Sequence, residues 1–398
     1  MTAACGDDDE DTSGDTGAEE SGGGGGDDAL IIGRVLPETG PLAFLGPPMI
    51  EGIQLAVDDI NEGGGVLGED VTLETADEGE TPQTARESAT RLVNGGAHAI
   101  VGAAASGNSQ EFIQLLFDEQ IPQCSGSNTS PAFTDQENAE FFFRTVPPDE
   151  AVAPIIADTV IADGAAKVVV VARADDYGQA LGDLVVTSLT DAGAEVPPLV
   201  SYDPEAANFN AEVSTIIGES PDAVVLISFD EGGQIVAGLL EGGITADQVY
   251  GSDGVFGPTF PGLVEEGNES VVDGMKVIGA AGSEEFNERI AEATDNNFIY
   301  GGQTYDCGII IALAAEAAGS TDGEAIIAEV PGVTKEGEKC ESFEDCKALL
   351  DDDEDIDYDG ASGALELDEA GDPTQGRYAV GQFVDGALEI VDSQDVDV

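Results

Sequence analysis

Short apolar runs alternate with longer amphipathic segments along most of the chain. Apolar runs at 29–36, 97–106, 165–172 and 221–228 predict buried β-strands. Segments such as 48–61 carry apolar residues at helical spacing and predict helices between those strands. This alternation predicts an α/β fold with parallel, right-handed, doubly wound sheets.

The alternation falls into two series of similar size, at about 29–146 and 165–253, followed by a strongly apolar helix at 301–319. Open sheets of this kind bind ligands beyond the carboxyl ends of their strands. In this chain those ends are rich in small polar residues, in the sequences AAASGNS, QCSGSNTSP, VARADDYG, LISFDEGG and YGSDG. We therefore expect a ligand site where these segments meet.

The stretch CSGSNTSPAFT, at 124–134, is a dense polar strand end without any charge. Its hydroxyl and amide groups could bind a carboxylate, because a strand-to-helix turn directs backbone N–H groups toward anions. The same residue types also favour ordinary capping turns, so a purely structural loop is the alternative interpretation.

Acidic residues dominate the composition, with 82 Asp and Glu against 12 Lys and Arg and a formal net charge of −70. Ten of the acids lie in residues 1–28, so the excess is not confined to a tail. Repulsion at this charge destabilises a compact state, and salt screens it. We therefore expect a protein from a saline or hypersaline habitat; an acidic lineage without salt dependence is the alternative.

The first 28 residues are a low-complexity segment rich in Gly, Asp, Glu and Ser, which predicts a disordered tether. Small residues precede Cys5, as in a bacterial lipobox, whose cysteine becomes the lipidated N-terminus. Thr2 departs from the aliphatic residue usual in that motif. The interpretation predicts a lipid anchor at Cys5 on the outer face of the cytoplasmic membrane; a chance cysteine is the alternative.

Setting Cys5 aside leaves an even number of cysteines, Cys124, Cys307, Cys340 and Cys346. Cys340 and Cys346 are near enough in sequence to close a small loop, which leaves Cys124 to pair with Cys307. Disulfides favour an extracytoplasmic compartment. We predict no metal site, because the sequence has no Cys-x-x-Cys motif and only one histidine, His98, which we interpret as structural.

Several classes of function are disfavoured by what the sequence lacks. There is no basic stripe for nucleic acid, and no run of 18 apolar residues for a transmembrane helix. Dinucleotide-binding, Walker A and nucleophile-elbow motifs are absent. Cys124 is the remaining candidate nucleophile, but no histidine accompanies it in sequence. We therefore expect neither an enzyme nor a cofactor.

The ordered set GPLAFLGPPMIEGIQLAVDDIN, VGAAASGNSQ, CSGSNTSPAFT, DDYGQALG, YGSDG and YDCGIIIALAAEAAG resembles the type 1 periplasmic binding proteins of the Leu/Ile/Val-binding family. The resemblance covers residues 29–398 and implies two Rossmann-like lobes joined by three crossovers, with a ligand cleft between them. It implies a first lobe from 29–145 and 278–357, and a second from 146–277 and 358–398.

The resemblance also implies roles for individual residues. Ser106, Ser127 and Thr129 match positions that bind the ligand's carboxylate. Asp253 matches an acidic position for the ammonium group, although a helix cap or a solvated acid is the alternative. Tyr177 matches a tyrosine that closes over the ligand, or else is a core aromatic. Phe229 and Leu45 line the side-chain pocket. Phe229 lacks the hydroxyl that a tyrosine would supply there, and Leu45 replaces an aromatic residue common in close relatives.

These implications predict a monomeric solute-binding protein that captures a small aliphatic amino acid and delivers it to ABC transporter permease subunits. A sensor ectodomain on the same fold is the alternative function. Amides, urea or aromatic acids are alternative ligands.

Overall fold

The computed structural model describes residues 29–398, and the predicted tether at 1–28, with Cys5, lies outside them. The first part of this chain alternates between strand and helix. Its elements are β1 (Ile31–Leu36), α1 (Gly46–Glu62), β2 (Thr72–Asp77), α2 (Pro82–Asn94), β3 (Ala99–Gly102), α3 (Ser106–Glu119), β4 (Gln123–Ser125) and β5 (Phe142–Arg144).

The second series continues the alternation. Its elements are α4 (Asp149–Ala162), β6 (Val168–Arg173), α5 (Asp176–Asp191), β7 (Val200–Tyr202), α6 (Asn210–Glu219), β8 (Ala223–Ile227), α7 (Gly232–Glu241), β9 (Val249–Gly251), α8 (Phe260–Val264) and β10 (Lys276–Ala280). The remaining elements are α9 (Glu284–Ile290), α10 (Gly301–Ala318), α11 (Gly323–Glu329), β11 (Glu338–Cys340), α12 (Phe343–Asp351), β12 (Ile356–Gly360), β13 (Gly363–Ala364), β14 (Gln375–Val384) and β15 (Ala387–Asp397).

Two main sheets organise these elements, as the sequence predicts. The first sheet is parallel throughout, in the order β2-β1-β3-β4-β5. The second has the order β15-β14-β10-β9-β8-β6-β7, and its five strands from β6 to β10 are parallel. β14 and β15 form an antiparallel hairpin at its edge that the hydrophobic pattern did not predict. A small third sheet joins β11, β12 and β13.

The chain passes between the two main sheets three times: before α4, after β10 and before β14. The predicted boundary between 277 and 278 falls inside β10, and the one between 357 and 358 falls inside β12. β10 and β12 each pair with a neighbouring strand as one unit, so neither strand is divided at these positions. The predicted boundaries cut the two strands because strand pairing is a long-range contact that local periodicity does not encode. The exact division of the chain into lobes stays a prediction.

Helix α10 is the centre of the first lobe and is buried along most of its length, packed against α1. The two helices approach closely at glycines. A Cβ atom on Gly308 would lie 2.7 Å from the Ile53 side chain, and one on Gly52 would lie 2.3 Å from the Gly301 carbonyl oxygen. Within residues 29–398, no helix combines the length and apolar character that a membrane span requires.

Both predicted disulfides are present. Cys124 at β4 joins Cys307 on α10, with their Cα atoms 5.6 Å apart, and Cys340 at β11 joins Cys346 on α12 at 5.3 Å. The first bond therefore fixes the strand end that leads into the 124–134 stretch to the central helix.

Candidate ligand site

A cavity with about 270 Å³ of empty space, part of it open to solvent, lies between the carboxyl ends of the two main sheets. It is lined from the first lobe by Leu42, Leu45, Ala104, Ala105, Ser106 and Ser127, from the second by Tyr177, Phe229, Asp253 and Gly254, and by Tyr300 before α10. Apart from Leu42, Leu45 and Tyr300, its lining residues follow β3, β4, β6, β8 and β9, as expected for open parallel sheets.

Six of the seven predicted ligand-binding residues line this one cavity: Leu45, Ser106, Ser127, Tyr177, Phe229 and Asp253. The seventh, Thr129, is buried two residues beyond Ser127 and does not line it. These residues lie together because most of them follow a strand. Their roles in ligand binding stay predictions.

Hydrogen bonds join the loop after β4 to the loop after β3. The Ser125 hydroxyl donates to the Ala103 carbonyl oxygen at 2.9 Å and accepts from the amides of Ser127 and Asn128. The Asn128 side chain donates to the carbonyls of Ala103 and Ala104, so it supports the turn. The Ser127 hydroxyl donates to the Ala104 carbonyl at 3.1 Å. It must therefore redirect its proton to donate to a ligand.

Ser106 is the first residue of α3, where the helix dipole and the first N–H groups favour an anion. Its loop is held by Glu78, a buried residue that was not predicted from the sequence. The Glu78 carboxylate accepts from the amides of Ala104 and Ala105 at 2.8 and 2.9 Å, and from Asn108. Burial raises the pKa of Glu78 to about 7.

Asp253 is the acidic residue of the cavity, and two tyrosines bind its carboxylate. The Tyr177 hydroxyl donates to one oxygen at 2.6 Å, and the Tyr300 hydroxyl donates to the other. Burial raises the pKa of Asp253. Tyr300 was not predicted, because it precedes a helix instead of following a strand. Its place just before Gly301 and Gly302, at the start of a buried helix, is the signal that could have identified it.

Phe229 forms the aromatic wall of the cavity between two other side chains. The Tyr177 ring stacks on it with centroids 5.4 Å apart, and the Arg173 guanidinium lies 3.5 Å from its centroid. Arg173 is itself paired with Asp175 and Glu231. Arg173, which was not predicted, therefore orients this wall through a cation–π contact.

Arg144 links the loop after β4 to the third crossing of the chain. Its guanidinium, fully buried, binds the Asp372 carboxylate with two hydrogen bonds of 2.6 and 2.9 Å. It also donates to the carbonyls of Asn128 and Ser130 and to the Thr134 hydroxyl. The Arg144 side chain thus couples the loop after β4 to a segment that connects the lobes.

Comparisons with known proteins agree with this architecture. A family model described as "Periplasmic binding protein" matches residues 30–386. The Leu/Ile/Val-binding protein BraC3 of Rhizobium johnstonii is 28% identical over 232 residues, which is 58% of this chain and 63% of BraC3, so the match spans less than two thirds of that relative. The chemotactic signal transduction system substrate-binding protein BasB of Halobacterium salinarum is 26% identical over 370 residues, 90% of this chain and 88% of BasB.

Solved structures share the fold. A leucine binding protein, LivK, from Thermotoga maritima has a TM-score of 0.77 and 23% identity, covering 92% of this chain and 98% of its own. LivJ from Streptococcus pneumoniae, in complex with isoleucine, has a TM-score of 0.75 and 21% identity, covering 93% of this chain and 100% of its own. A solute binding protein from R. palustris, in complex with benzoate, has a TM-score of 0.69 and 19% identity, covering 92% of this chain and 96% of its own. The chain belongs to the periplasmic binding protein family, in the type 1 group that includes the Leu/Ile/Val-binding proteins.

Proposed function

We propose that this protein is an extracytoplasmic solute-binding protein that captures a small aliphatic amino acid and delivers it to the permease of an ABC importer. The observation that carries the proposal is the chemistry of the cavity. Uncharged donors from the first lobe, at Ser106 and Ser127, face a carboxylate from the second lobe, at Asp253. A zwitterion has the complementary pair of charges.

The small size and the lining of the cavity support a small ligand. Its empty space of about 270 Å³ includes open solvent, so the enclosed part is smaller than an ordinary small-molecule pocket. Apolar contacts come from Leu42, Leu45 and Phe229. Closure of the lobes on the ligand would exclude water and strengthen each polar contact. Binding alone accounts for this chemistry, so we propose no catalytic step.

Calorimetry against the twenty amino acids, in molar KCl, tests the proposal. We expect binding of aliphatic amino acids, and we expect the double substitution Ser127→Ala with Thr129→Ala to weaken it at least tenfold, because two candidate hydroxyl partners are lost. Ser88→Ala, on α2, is the control and should leave affinity unchanged. Binding of amides, urea or benzoate in place of amino acids would contradict the ligand class and leave the family role intact.

A sensor function is the second candidate, because BasB matches this chain over 90% of its length. Affinity purification from membranes distinguishes the two roles: permease subunits would support import, and a chemotaxis transducer would support sensing. Lipid modification of Cys5 and a monomeric state remain predictions of the sequence.

A further inference from the structure

Two Asn-x-Ser/Thr tripeptides occur in the chain, Asn128-Thr129-Ser130 and Asn268-Glu269-Ser270. This tripeptide is the acceptor for N-linked glycosylation in secreted proteins, where the glycan occupies a surface loop. The two disulfides favour an extracytoplasmic location for this chain, as its family does. The tripeptide also arises by chance, so the surroundings of each asparagine decide whether it can act as an acceptor.

The first tripeptide is part of the protein interior. Asn128 is fully buried, and Thr129 and Ser130 are buried with it. The side-chain nitrogen of Asn128 donates to the carbonyls of Ala103 and Ala104 at 3.0 and 2.9 Å, which uses both of its N–H groups. A glycan replaces one of those hydrogens, so it would break a buried hydrogen bond and would need space that a packed interior does not have. The folded protein therefore excludes a glycan at Asn128.

The second tripeptide lies in a surface turn between α8 and β10. Every residue from Glu265 to Ser270 is exposed. The side-chain nitrogen of Asn268 donates one N–H to the Glu265 carboxylate at 2.9 Å, and its other N–H has no partner among the residues that the structure describes. The Ser270 hydroxyl, the second group that defines the motif, lies 3.4 Å from the Asn268 amide oxygen. A glycan at Asn268 would replace the unpartnered N–H and leave the bond to Glu265 in place.

This turn is at the end of the second lobe that faces away from the candidate cavity. Asn268 precedes a short 3-10 helix, Glu269–Val272, which leads into β10 at Lys276. The turn between β14 and β15 packs on that helix, since a Cβ atom on Gly386 would lie 2.9 Å from the Glu269 side chain. These segments meet at the amino end of β10, whereas the cavity lies beyond the carboxyl ends of the parallel strands. A glycan on Asn268 would therefore leave the path of the ligand open.

We propose that Asn268 carries an N-linked glycan and that Asn128 does not. The co-substrate is a saccharide joined through a phosphate to a membrane lipid, and a glycosyltransferase of the host catalyses the transfer. The side-chain nitrogen of Asn268 attacks the anomeric carbon of the saccharide and forms a C–N bond. The bond from that carbon to the phosphate oxygen breaks, and the lipid phosphate leaves with the electron pair. The nitrogen gives up one proton to the transferase, and nothing is oxidised or reduced. This modification does not depend on which ligand the cavity binds.

Mass spectrometry of chymotryptic peptides from the full-length protein, produced in its own host, tests the proposal. We expect the peptide that contains Asn268 to carry the mass of a saccharide chain, and the peptide that contains Asn128 to carry none. Asn268→Gln and Ser270→Ala should each remove the added mass completely. Ser270→Thr should keep it, because threonine supplies the same hydroxyl. Asn208→Gln is the control and should change nothing, since Asn208 is also exposed but has no hydroxyl residue two positions later.

Three results would overturn the inference. The first is an unmodified Asn268 peptide in the wild-type protein. The second is an added mass that persists in Ser270→Ala, because the attachment would then not depend on the tripeptide. The third is a saccharide on Asn128, which would show that burial in the folded protein does not select the acceptor. Loss of the mass in both Asn268→Gln and Ser270→Ala, with its retention in Ser270→Thr, would establish Asn268 as the site.

Discussion

Glu78 illustrates how a residue outside the cavity sets the geometry of the site. Its carboxylate binds two backbone amides of the loop that carries Ser106, and it is almost fully buried. Those bonds fix the loop, but they also direct a negative charge toward the end of α3 where we expect the ligand's carboxylate. The protonation state of Glu78 therefore bears on both stability and ligand binding.

The raised pKa of Glu78 predicts a pH dependence of stability. Burial raises that pKa to about 7 from its ordinary value of 4.5. Between these values the folded protein holds a proton that the unfolded chain has lost, so stability falls as the pH rises through this window. Relative to Glu78→Gln, the wild type should lose up to about 3 kcal/mol of unfolding free energy between pH 5 and pH 8.

Urea unfolding of both proteins at pH 5 and pH 8 measures this difference. Glu80→Gln, at an exposed position two residues away, is the control and should follow the wild type. Identical pH slopes for the wild type and Glu78→Gln would show that the carboxyl titrates as in the unfolded chain.

At the scale of elements, the two disulfides differ mainly in the length of chain that they close. Cys124 and Cys307 are separated by 183 positions, and Cys340 and Cys346 by 6. All four side chains are buried, so replacement by alanine leaves a similar small cavity in each case. The comparison therefore isolates loop length.

A disulfide that closes a longer loop restricts the unfolded chain more. We expect Cys124→Ala with Cys307→Ala to lower the free energy of unfolding by roughly 3 kcal/mol more than Cys340→Ala with Cys346→Ala. Guanidinium unfolding of both double variants measures it. Equal losses would indicate that native packing, and not the unfolded chain, determines the contribution of each bond.

Much of the element order could be predicted from the hydrophobic pattern. The predicted helix at 48–61 lies within α1, and the one at 301–319 extends one residue beyond α10. The hairpin of β14 and β15 could not be predicted, because β15 is exposed along most of its length and carries no apolar alternation. Its pairing with the sheet depends on contacts between β10 and β14, about 100 residues apart in sequence.

The candidate site could be predicted mainly at strand ends rich in small polar residues. Ser106 and Asp253 lie at such ends and were found, whereas Glu78, which directly follows β2, and Arg173, the last residue of β6, were not. In a chain with 82 acids, an individual buried acid has no distinguishing sequence signal. The burial of Glu78 appears only when distant segments pack together.

At the scale of the whole molecule, the charge excess is largely unneutralised. The 12 Lys and Arg all lie in the described residues, and nine of them form ion pairs with carboxylates. Many acids are therefore left at the surface without a cation. Their repulsion opposes folding, and it acts over the Debye length, which is about 8 Å at physiological ionic strength and about 3 Å at 1 M.

We therefore expect the melting temperature to rise by at least about 5 °C between 0.15 and 2 M KCl, because each kcal/mol of stability shifts the melting of a protein this large by a few degrees. Circular dichroism melts in a series of KCl concentrations measure it. Sucrose solutions are the control, since sucrose strengthens burial without screening charge. If screening is the cause, most of the rise should occur below 1 M and should exceed the effect of sucrose. A melting temperature that is flat or falls with salt would contradict adaptation to a saline habitat and leave the acidic surface as a property of composition alone.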